Sequence, residues 1–225
     1  AETVIQSSNV CGIRIGEKLG SEGLADALLD FGFGPEGTTK AFAGARAGQS
    51  PLPRQMDPTE YIPLISTGYS GSSDFTVTPL EIVQAYGAIA NGGNLIKPMN
   101  VNSADTAGTV LRRVLSGENS QKMRDVLVKA VREGTGSRAK SSFYSTAGKT
   151  STAYIPGIQE HERIGGRTSI GGFVGFAPVI NPRVVIYAVV IRAKGRTEGN
   201  RVAAPVFREV AERVLKHLHV KPDLL

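Results

Sequence analysis

The residues most able to do chemistry lie in one short stretch, residues 145–154, which is rich in hydroxyl groups and carries a single lysine, Lys149. Threonine, serine and tyrosine favour extended backbone, while Ala147 and Gly148 leave open space above it. An ammonium group beside hydroxyls and backbone N–H groups suits an anionic ligand such as a carboxylate. Composition alone nevertheless favours a simpler interpretation, an ordinary surface strand that contains a lysine.

Alternation along this strand predicts which of its side chains share a face. Lys149 and Ser151 are expected on one face, and Thr150 and Thr152 on the other. We interpret the strand as one wall of a groove.

A second polar group, Ser7-Ser8-Asn9, lies near the start of the chain. Serine and asparagine commonly cap helices, so a purely structural role explains them. The helix that follows is predicted to break at Gly20 and to resume from Ser21, ending at Gly32 and Gly34.

The stretch from Ser137 to Lys140 places a serine three positions before a lysine. Here the pair follows Gly134 and Gly136, which end the preceding helix. We therefore predict a polar loop and reject Ser137 as a nucleophile.

Composition excludes several classes of function. The net charge is +6 and the pI about 9.5, but basic and acidic residues are interspersed, so nucleic-acid binding is not indicated. The single cysteine, Cys11, is predicted to be a buried, inert thiol. His217 and His219 are too close in sequence to share a helix face and have no Cys or carboxylate cluster around them, and no phosphate or dinucleotide loop is present, so no metal and no cofactor is predicted.

Two helices follow from local signals. Thr78-Pro79-Leu80-Glu81 predicts a capping box that opens a helix reaching Ala90. Ser120 is predicted to cap a second helix that ends at Gly134. The residues expected to be buried in these helices are Ile82, Val83, Tyr86 and Ile89 in the first, and Met123, Leu127, Ala130 and Val131 in the second.

The C-terminal part reads as two strands, 168–177 and 183–192, and an amphipathic helix, 203–218. The nearly unbroken apolar run 184–191 predicts a central strand buried on both faces. The helix stripe consists of Phe207, Val210, Ala211, Val214, Leu215 and Leu218. Residues 35–69 are predicted to form a long surface connection, and residues 155–167 a loop between strands.

The motifs together resemble those of penicillin-binding proteins. Residues 148–153 are similar to the family's lysine-threonine-glycine box, with Ser151 where glycine is usual. Residues 7–9 resemble its serine-any-asparagine box, and residues 77–98 one of its most recognisable helices. The order of motifs matches along essentially the whole chain, and the nearest branch is that of the class B, monofunctional enzymes.

This resemblance implies an α+β fold of the penicillin-binding protein/serine β-lactamase type: an antiparallel sheet flanked by helices, plus a helical lobe. It further implies that residues 1–225 are the C-terminal portion of one transpeptidase domain. Residues 1–140 would be mostly helical lobe and loops, and residues 141–225 sheet strands and the C-terminal helix. The first strands and the nucleophile helix would lie outside this chain.

The implied activity is D,D-transpeptidation of peptidoglycan stem peptides through a serine acyl-enzyme. Ser7 would take part in proton transfer to the leaving group, and Asn9 would bind the substrate amide and hold the catalytic lysine. Lys149 would supply positive potential. The substrate carboxylate would be bound by Thr150 and Thr152, with the Thr152 N–H as an oxyanion donor and Ser151 beside them.

The resemblance also implies partners and a location. The expected ligands are stem peptides and β-lactams, and the expected protein partners are the missing N-terminal half of the domain and division or elongation proteins. An extracytoplasmic location, with a membrane anchor upstream, is implied as well. Since the nucleophile serine and its lysine would be missing, this chain alone is predicted to be inactive.

Two alternatives remain open at this stage. The first is a non-catalytic scaffold of the same fold that binds peptidoglycan or β-lactams, which the serine at position 151 favours. The second is a serine β-lactamase, which is disfavoured because no deacylating carboxylate is evident.

Overall fold

The structure, a computed structural model, describes residues 1–34, 77–99, 108–154, 169–193 and 196–224. Residue contacts divide the chain into two compact units. The first unit comprises Ala1–Ser7 and Lys122–Leu225, and the second comprises Ser8–Gln121.

An antiparallel sheet organises the first unit. Its strands are β3 (Ala147–Tyr154), β4 (Ser169–Ala177) and β5 (Val184–Ile191), hydrogen-bonded in the order β3-β4-β5. Eight consecutive residue pairs join β3 to β4, from Ala147↔Phe176 to Tyr154↔Ser169. This long, uninterrupted register fixes which side chains of β3 stand beside which of β4.

One face of the sheet packs on the C-terminal helix, α6 (Ala204–His217). The ring of Phe173 on β4 contacts the ring of Phe207 on α6, with centroids 4.7 Å apart and planes inclined by 52°. Such tilted aromatic pairs add specific attraction to the burial of their apolar surface. The buried residues of this core are Val131, Ala139, Phe173, Ala188, Ala203, Ala204, Phe207 and Ala211.

Two expectations for this unit are corrected. The apolar run 184–191 was expected to form a central strand, but among the described strands β5 lies at the edge and most of its residues are half-buried. The buried stripe of α6 is also narrower than predicted: Phe207, Ala211 and Leu215 are buried, whereas Val210 and Leu218 are exposed. A single row of positions four residues apart is enough to cover this face of the sheet.

Four other described elements belong wholly or partly to the first unit. They are α1 (Glu2–Ile5), α4 (Gly117–Arg132), a 3-10 turn (Ser137–Ala139) and α5 (Gly199–Val202). The division between the units falls within α4. The prediction that Ser120 caps α4 is wrong, because Ser116 Oγ accepts from Asn119 N–H while Ser120 lies inside the helix. Ser120 is buried, and its hydroxyl donates instead to the carbonyl of Ile89 at 2.7 Å.

The second unit contains α2 (Asn9–Asp30), α3 (Pro79–Ala90), β1 (Asn94–Ile96) and β2 (Val110–Arg113). The predicted break at Gly20 is confirmed, since this residue has φ 69° and ψ 174° inside α2. Only glycine adopts that conformation at little cost, so Gly20 defines the kink. Cys11 on α2 is exposed, which corrects the expectation of a buried thiol.

The capping box at the start of α3 is confirmed. Thr78 Oγ1 accepts from Glu81 N–H at 3.2 Å, and a Glu81 carboxylate oxygen accepts from Thr78 N–H at 2.6 Å. The face that α3 buries was predicted wrongly. Its buried residues are Glu81, Gln84, Ala85, Ala88 and Ala90, whereas the larger apolar residues Ile82, Val83, Tyr86 and Ile89 are half-buried.

The reason for this difference lies in β1. Gln84 Nε2 donates to the carbonyl of Ile96 at 2.8 Å, which turns the face with the small residues toward the strand. Backbones approach closely where side chains are small. The period of the apolar residues does not show which face of a helix will be buried in this way.

The predicted connections at 35–69 and 155–167 lie outside the described residues. Within the part of the chain that is described, no helix combines the length and the apolar character needed to cross a membrane.

Candidate active site

The side chain of Lys149 is the centre of the candidate site. Its Nζ donates to Ser7 Oγ at 2.8 Å, to Thr150 Oγ1 at 3.2 Å and to the Thr150 carbonyl oxygen at 3.1 Å. Because Lys149 Nζ reaches the Thr150 carbonyl oxygen, we infer that this carbonyl faces the edge of β3 that is not paired with β4. All three residues belong to the first unit.

Ser7 follows the short helix α1 and meets Lys149 through an unusual backbone conformation. Its φ is 55°, in the left-handed region that residues other than glycine adopt rarely. The preceding turn is closed by Ser7 N–H, which donates to the Val4 carbonyl at 3.3 Å. A strained residue whose hydroxyl contacts a lysine is a typical feature of a functional site.

The segment that carries Ser7 is held against the end of α4. Thr135 N–H donates to the Ile5 carbonyl at 3.2 Å. The backbones come so close here that a Cβ at position 134 would lie 2.3 Å from the Ile5 carbonyl oxygen, so Gly134 is required for the contact. Thr135 was not singled out in the sequence, although its position between two glycines after a helix marks a tight, specific turn.

The charge of Lys149 is modified by its surroundings. Burial lowers the pKa of its ammonium from 10.5 to about 8. Desolvation disfavours the charged form of a base, and this is the cause here. At neutral pH Lys149 is therefore mainly an ammonium, with a proton that is easier to release than that of an ordinary surface lysine.

Ser151 and Thr152, two other predicted residues of β3, lie on opposite faces of the sheet, as the alternation of side chains along a strand predicted. Lys149 is in register with Val174 on β4, and Val174 with Tyr187 on β5, so these three residues share one face of the sheet. Ser151 lies on the same face and hydrogen-bonds the Tyr187 side chain. On the α5 face, Thr152 Oγ1 accepts from Gly199 N–H at 3.5 Å. Tyr187 was missed in the sequence, where it was counted as part of an apolar run.

Ser151 is matched to the glycine opposite it. Ser151 pairs with Gly172 in the ladder, and a Cβ at position 172 would lie 2.4 Å from Ser151 Oγ and 3.0 Å from the Tyr187 ring. The Ser151 hydroxyl thus occupies the volume that a side chain at position 172 would need.

Two other positions, Asn9 and Ser137, stood out in the sequence. Asn9 belongs to the second unit, where it is the exposed first residue of α2, after the N-cap Ser8. Ser137 lies in a 3-10 turn, and its Oγ accepts from Asn200 Nδ2 at 3.4 Å. Among the described residues, no group of three or more His, Cys, Asp or Glu side chains is placed to hold a metal ion.

A separate cavity of about 680 Å³ lies in the first unit at the end of α6. Its lining includes Phe143, Tyr144, Lys216, Val220 and Lys221. None of the predicted site residues lines it, so the geometry around Lys149 remains the better candidate for chemistry.

Known proteins are similar to this chain in sequence and in fold. The family profile described as "Penicillin binding protein transpeptidase domain" matches residues 1–212. Stage V sporulation protein D of Bacillus subtilis is 31% identical over 240 residues, which cover 98% of this chain and 34% of that protein. Peptidoglycan D,D-transpeptidase FtsI of Buchnera aphidicola is 27% identical, with 98% of this chain and 37% of that protein covered. The chain thus spans about a third of the length of these relatives.

Solved structures agree with the sequence relatives. The transpeptidase domain of penicillin-binding protein 3 from Burkholderia pseudomallei matches with a TM-score of 0.82 and 26% identity, covering 99% of this chain and 65% of that one. Penicillin-binding protein 3 from Mycobacterium tuberculosis, complexed with aztreonam, matches with a TM-score of 0.76 and 27% identity, covering 98% and 51%. The α+β fold is therefore that of these domains, and the chain belongs to the penicillin-binding protein transpeptidase family, in its class B branch.

Proposed function

We propose that this chain contributes to the active site of a D,D-transpeptidase that cross-links peptidoglycan stem peptides and is acylated by β-lactams. The observation that carries the proposal is the 2.8 Å hydrogen bond from Lys149 Nζ to Ser7 Oγ. It joins the two boxes of the family in one hydrogen-bonded pair, as proton transfer requires.

The chemistry assigned to the pair is protonation of the leaving group. A nucleophilic serine, whose proton passes to the lysine paired with it, attacks the carbonyl carbon of the penultimate residue of the stem peptide, and the bond from that carbon to the nitrogen of the terminal D-alanine breaks. The departing nitrogen takes a proton from the Ser7 hydroxyl, and Ser7 regains one from the Lys149 ammonium. The lowered pKa of Lys149, about 8, supports this role because a proton donor works best when its pKa is near the working pH.

The edge of β3 is the proposed binding site for the substrate. Lys149 and Thr150 present an ammonium and a hydroxyl for the terminal carboxylate. Because the backbone direction alternates along a strand, the Thr152 N–H faces the same edge as the Thr150 carbonyl, where it can donate to an oxyanion. Thr152 is proposed to bind the carboxylate together with Thr150, and Asn9 to bind the substrate amide. Ser151 adjoins them in the strand, but its hydroxyl is directed over Gly172 toward Tyr187.

The proposed activity also implies the ligands, the location and the protein partners. The ligands are stem peptides and β-lactams, and the protein works outside the cytoplasmic membrane, where peptidoglycan is assembled. Division or elongation proteins are its proposed protein partners.

The test measures covalent labelling by a β-lactam, followed by intact mass, on the protein as cells make it. Ser7→Ala and Lys149→Gln should each slow acylation by about 100-fold, the lower end of what general acid–base catalysis contributes. Ser142→Ala and Lys140→Gln are matched controls at exposed positions and should acylate at the wild-type rate.

Two results would contradict the proposal. Unchanged acylation of both site variants would remove Ser7 and Lys149 from the proton path. Reversible β-lactam binding without any covalent adduct in the wild type would instead favour a non-catalytic binding module of the same fold.

A further inference from the structure

The hydrogen bonds around Lys149 close into a ring that includes Thr135. Thr135 N–H donates to the Ile5 carbonyl at 3.2 Å, and Thr135 Oγ1 lies 3.2 Å from Thr150 Oγ1. Thr150 Oγ1 accepts from Lys149 Nζ, which also donates to Ser7 Oγ. The chain between Ile5 and Ser7 completes the circuit.

Thr135 occupies a rigid point of this ring. The end of α4 is tied by Glu133 N–H, which donates to the Lys129 carbonyl at 2.8 Å, and by Gly136 N–H, which donates to the Ala130 carbonyl at 2.9 Å. The turn between these bonds presents Thr135 with its N–H toward Ile5 and its hydroxyl toward β3. One residue thereby connects the segment that carries Ser7 to the strand that carries Lys149.

Lys149 Nζ donates to Thr150 Oγ1, so the positions of the remaining hydroxyl protons decide what Thr150 can donate to. A hydroxyl has one proton and two acceptor lone pairs. If Thr150 Oγ1 accepts from both Lys149 and Thr135, its own proton is left for a bound carboxylate. Thr135 would then be the donor of the pair, and Thr150 would be preset as a donor to the ligand.

We propose that Thr135 is a positioning residue of this site, which holds Ser7 within reach of Lys149 and orients the Thr150 hydroxyl toward an anionic ligand. Its effect on catalysis rests on the transpeptidase function proposed above. Its effect on the environment of Lys149 does not, and can be measured without turnover.

The variants separate the hydroxyl from the shape of the side chain. Thr135→Val keeps the volume and removes the hydroxyl, and Thr135→Ser restores the hydroxyl. The matched control is Thr146→Val, because buried Thr146 also makes a side-chain hydrogen bond in this unit, to the Ala139 carbonyl at 3.2 Å, away from Lys149. Should Thr135→Val fail to fold, Thr135→Cys keeps the volume with a weaker donor and should give an intermediate result.

The first measurement is the pH dependence of Lys149 modification by an amine reagent, followed by peptide mass spectrometry. In the wild type the midpoint should lie at the pKa of Lys149, about 8. Thr135→Val keeps the N–H bond to Ile5 but removes the contact with Thr150, so the segment that carries Ser7 should be held less firmly against β3 and the midpoint should rise toward the ordinary value. Thr135→Ser and Thr146→Val should keep the wild-type midpoint.

The second measurement is the rate of β-lactam acylation of the protein as cells make it. Thr135→Val should lower the acylation efficiency by about tenfold, Thr135→Ser should stay within about threefold of the wild type, and Thr146→Val should not slow it. If the wild type is not acylated, the proposed function fails while the modification midpoints still test Thr135.

The proposal is overturned if Thr135→Val leaves both the midpoint and the acylation rate unchanged. It is equally overturned if Thr135→Ser behaves like Thr135→Val, because the effect would then come from packing and not from the hydroxyl.

Discussion

The ammonium of Lys149 lies 2.8 Å from the hydroxyl of Ser7, although 142 positions of sequence separate the two residues. The contact depends on the backbone of Ser7, whose φ of 55° directs the hydroxyl toward β3. The site therefore combines an interaction and a local strain, and substitutions at one position can separate them.

Ser7→Ala and Ser7→Gly should differ in stability but not in chemistry. Both remove the hydroxyl, so both should slow β-lactam acylation equally. Glycine tolerates a positive φ without the steric cost that alanine bears, so Ser7→Gly should be more stable than Ser7→Ala by about 1 kcal/mol. Urea denaturation measures the difference, and equal stability of the two variants would show that Ser7 is not strained.

Binding of a carboxylate ligand should weaken above the pKa of Lys149, which is about 8. Only the ammonium form attracts an anion, so affinity for an N-acylated D-alanyl-D-alanine should fall by at most about tenfold per pH unit above that value. Titration calorimetry between pH 6.5 and 9.5 measures this dependence. Lys149→Gln should bind weakly and independently of pH, whereas Lys140→Gln should reproduce the wild-type profile.

The lowered pKa of Lys149 also predicts how the stability of the protein changes with pH. Because burial lowers the folded-state pKa of Lys149, the unfolded chain holds the proton more tightly between about pH 8 and 10.5. The contribution of Lys149 to stability should therefore rise with pH across this window, and below it the charged amine is a penalty. Denaturation midpoints of the wild type and Lys149→Gln should converge as the pH rises, and a constant difference would contradict this.

Removal of the Ser151 hydroxyl should change the ionisation of Tyr187. Burial raises the pKa of the Tyr187 phenol above 10.0, and its hydrogen bond with Ser151 acts in the opposite direction. Ser151→Gly should consequently raise the Tyr187 pKa further, as followed by tyrosinate absorbance in a pH titration. Ser142→Gly is the control at an exposed serine and should leave the phenol unchanged, and a Tyr187 pKa that stays the same in Ser151→Gly would disprove the contact.

Gly172→Ala should be destabilising alone and much less so together with Ser151→Gly. The added Cβ would lie 2.4 Å from Ser151 Oγ, and overpacking of this kind typically costs about 1–3 kcal/mol. A double-mutant cycle by chemical denaturation measures the relief. Gly148→Ala is the contrasting case, because its Cβ would meet the Val174 carbonyl and the Phe173 ring, and Ser151→Gly should bring no relief there.

Local signals in the sequence predicted local structure well. The capping box at Thr78, the break at Gly20 and the alternation of Ser151 and Thr152 each depend on neighbours within a few residues, and all are present in the structure. The buried face of α3 and the place of β5 at the edge of the described strands depend on which distant element packs beside them. Periodicity holds no information about those partners.

The site was predictable only in part for the same reason. Ser7 and Lys149 were paired through resemblance to a family, since nothing in the composition brings two such distant residues together. Thr135 was missed because it lies between two glycines at a helix end, and Tyr187 because it lies within an apolar run. Each acts through a single hydroxyl whose partner is far away in sequence, on Thr150 and Ser151 respectively.

The eight-pair register between β3 and β4 has a consequence for how the chain can change in length. Insertions between Tyr154 and Ser169 enter beyond the last pair that the structure describes, so they leave the pairing of Lys149 with Val174 intact. A one-residue insertion between Lys149 and Ser151 would instead shift the pairing by one position and move Ser151 to the other face of the sheet. A tag or a reporter inserted between Tyr154 and Ser169 should therefore be compatible with the paired strands, whereas a change of length within β3 should not.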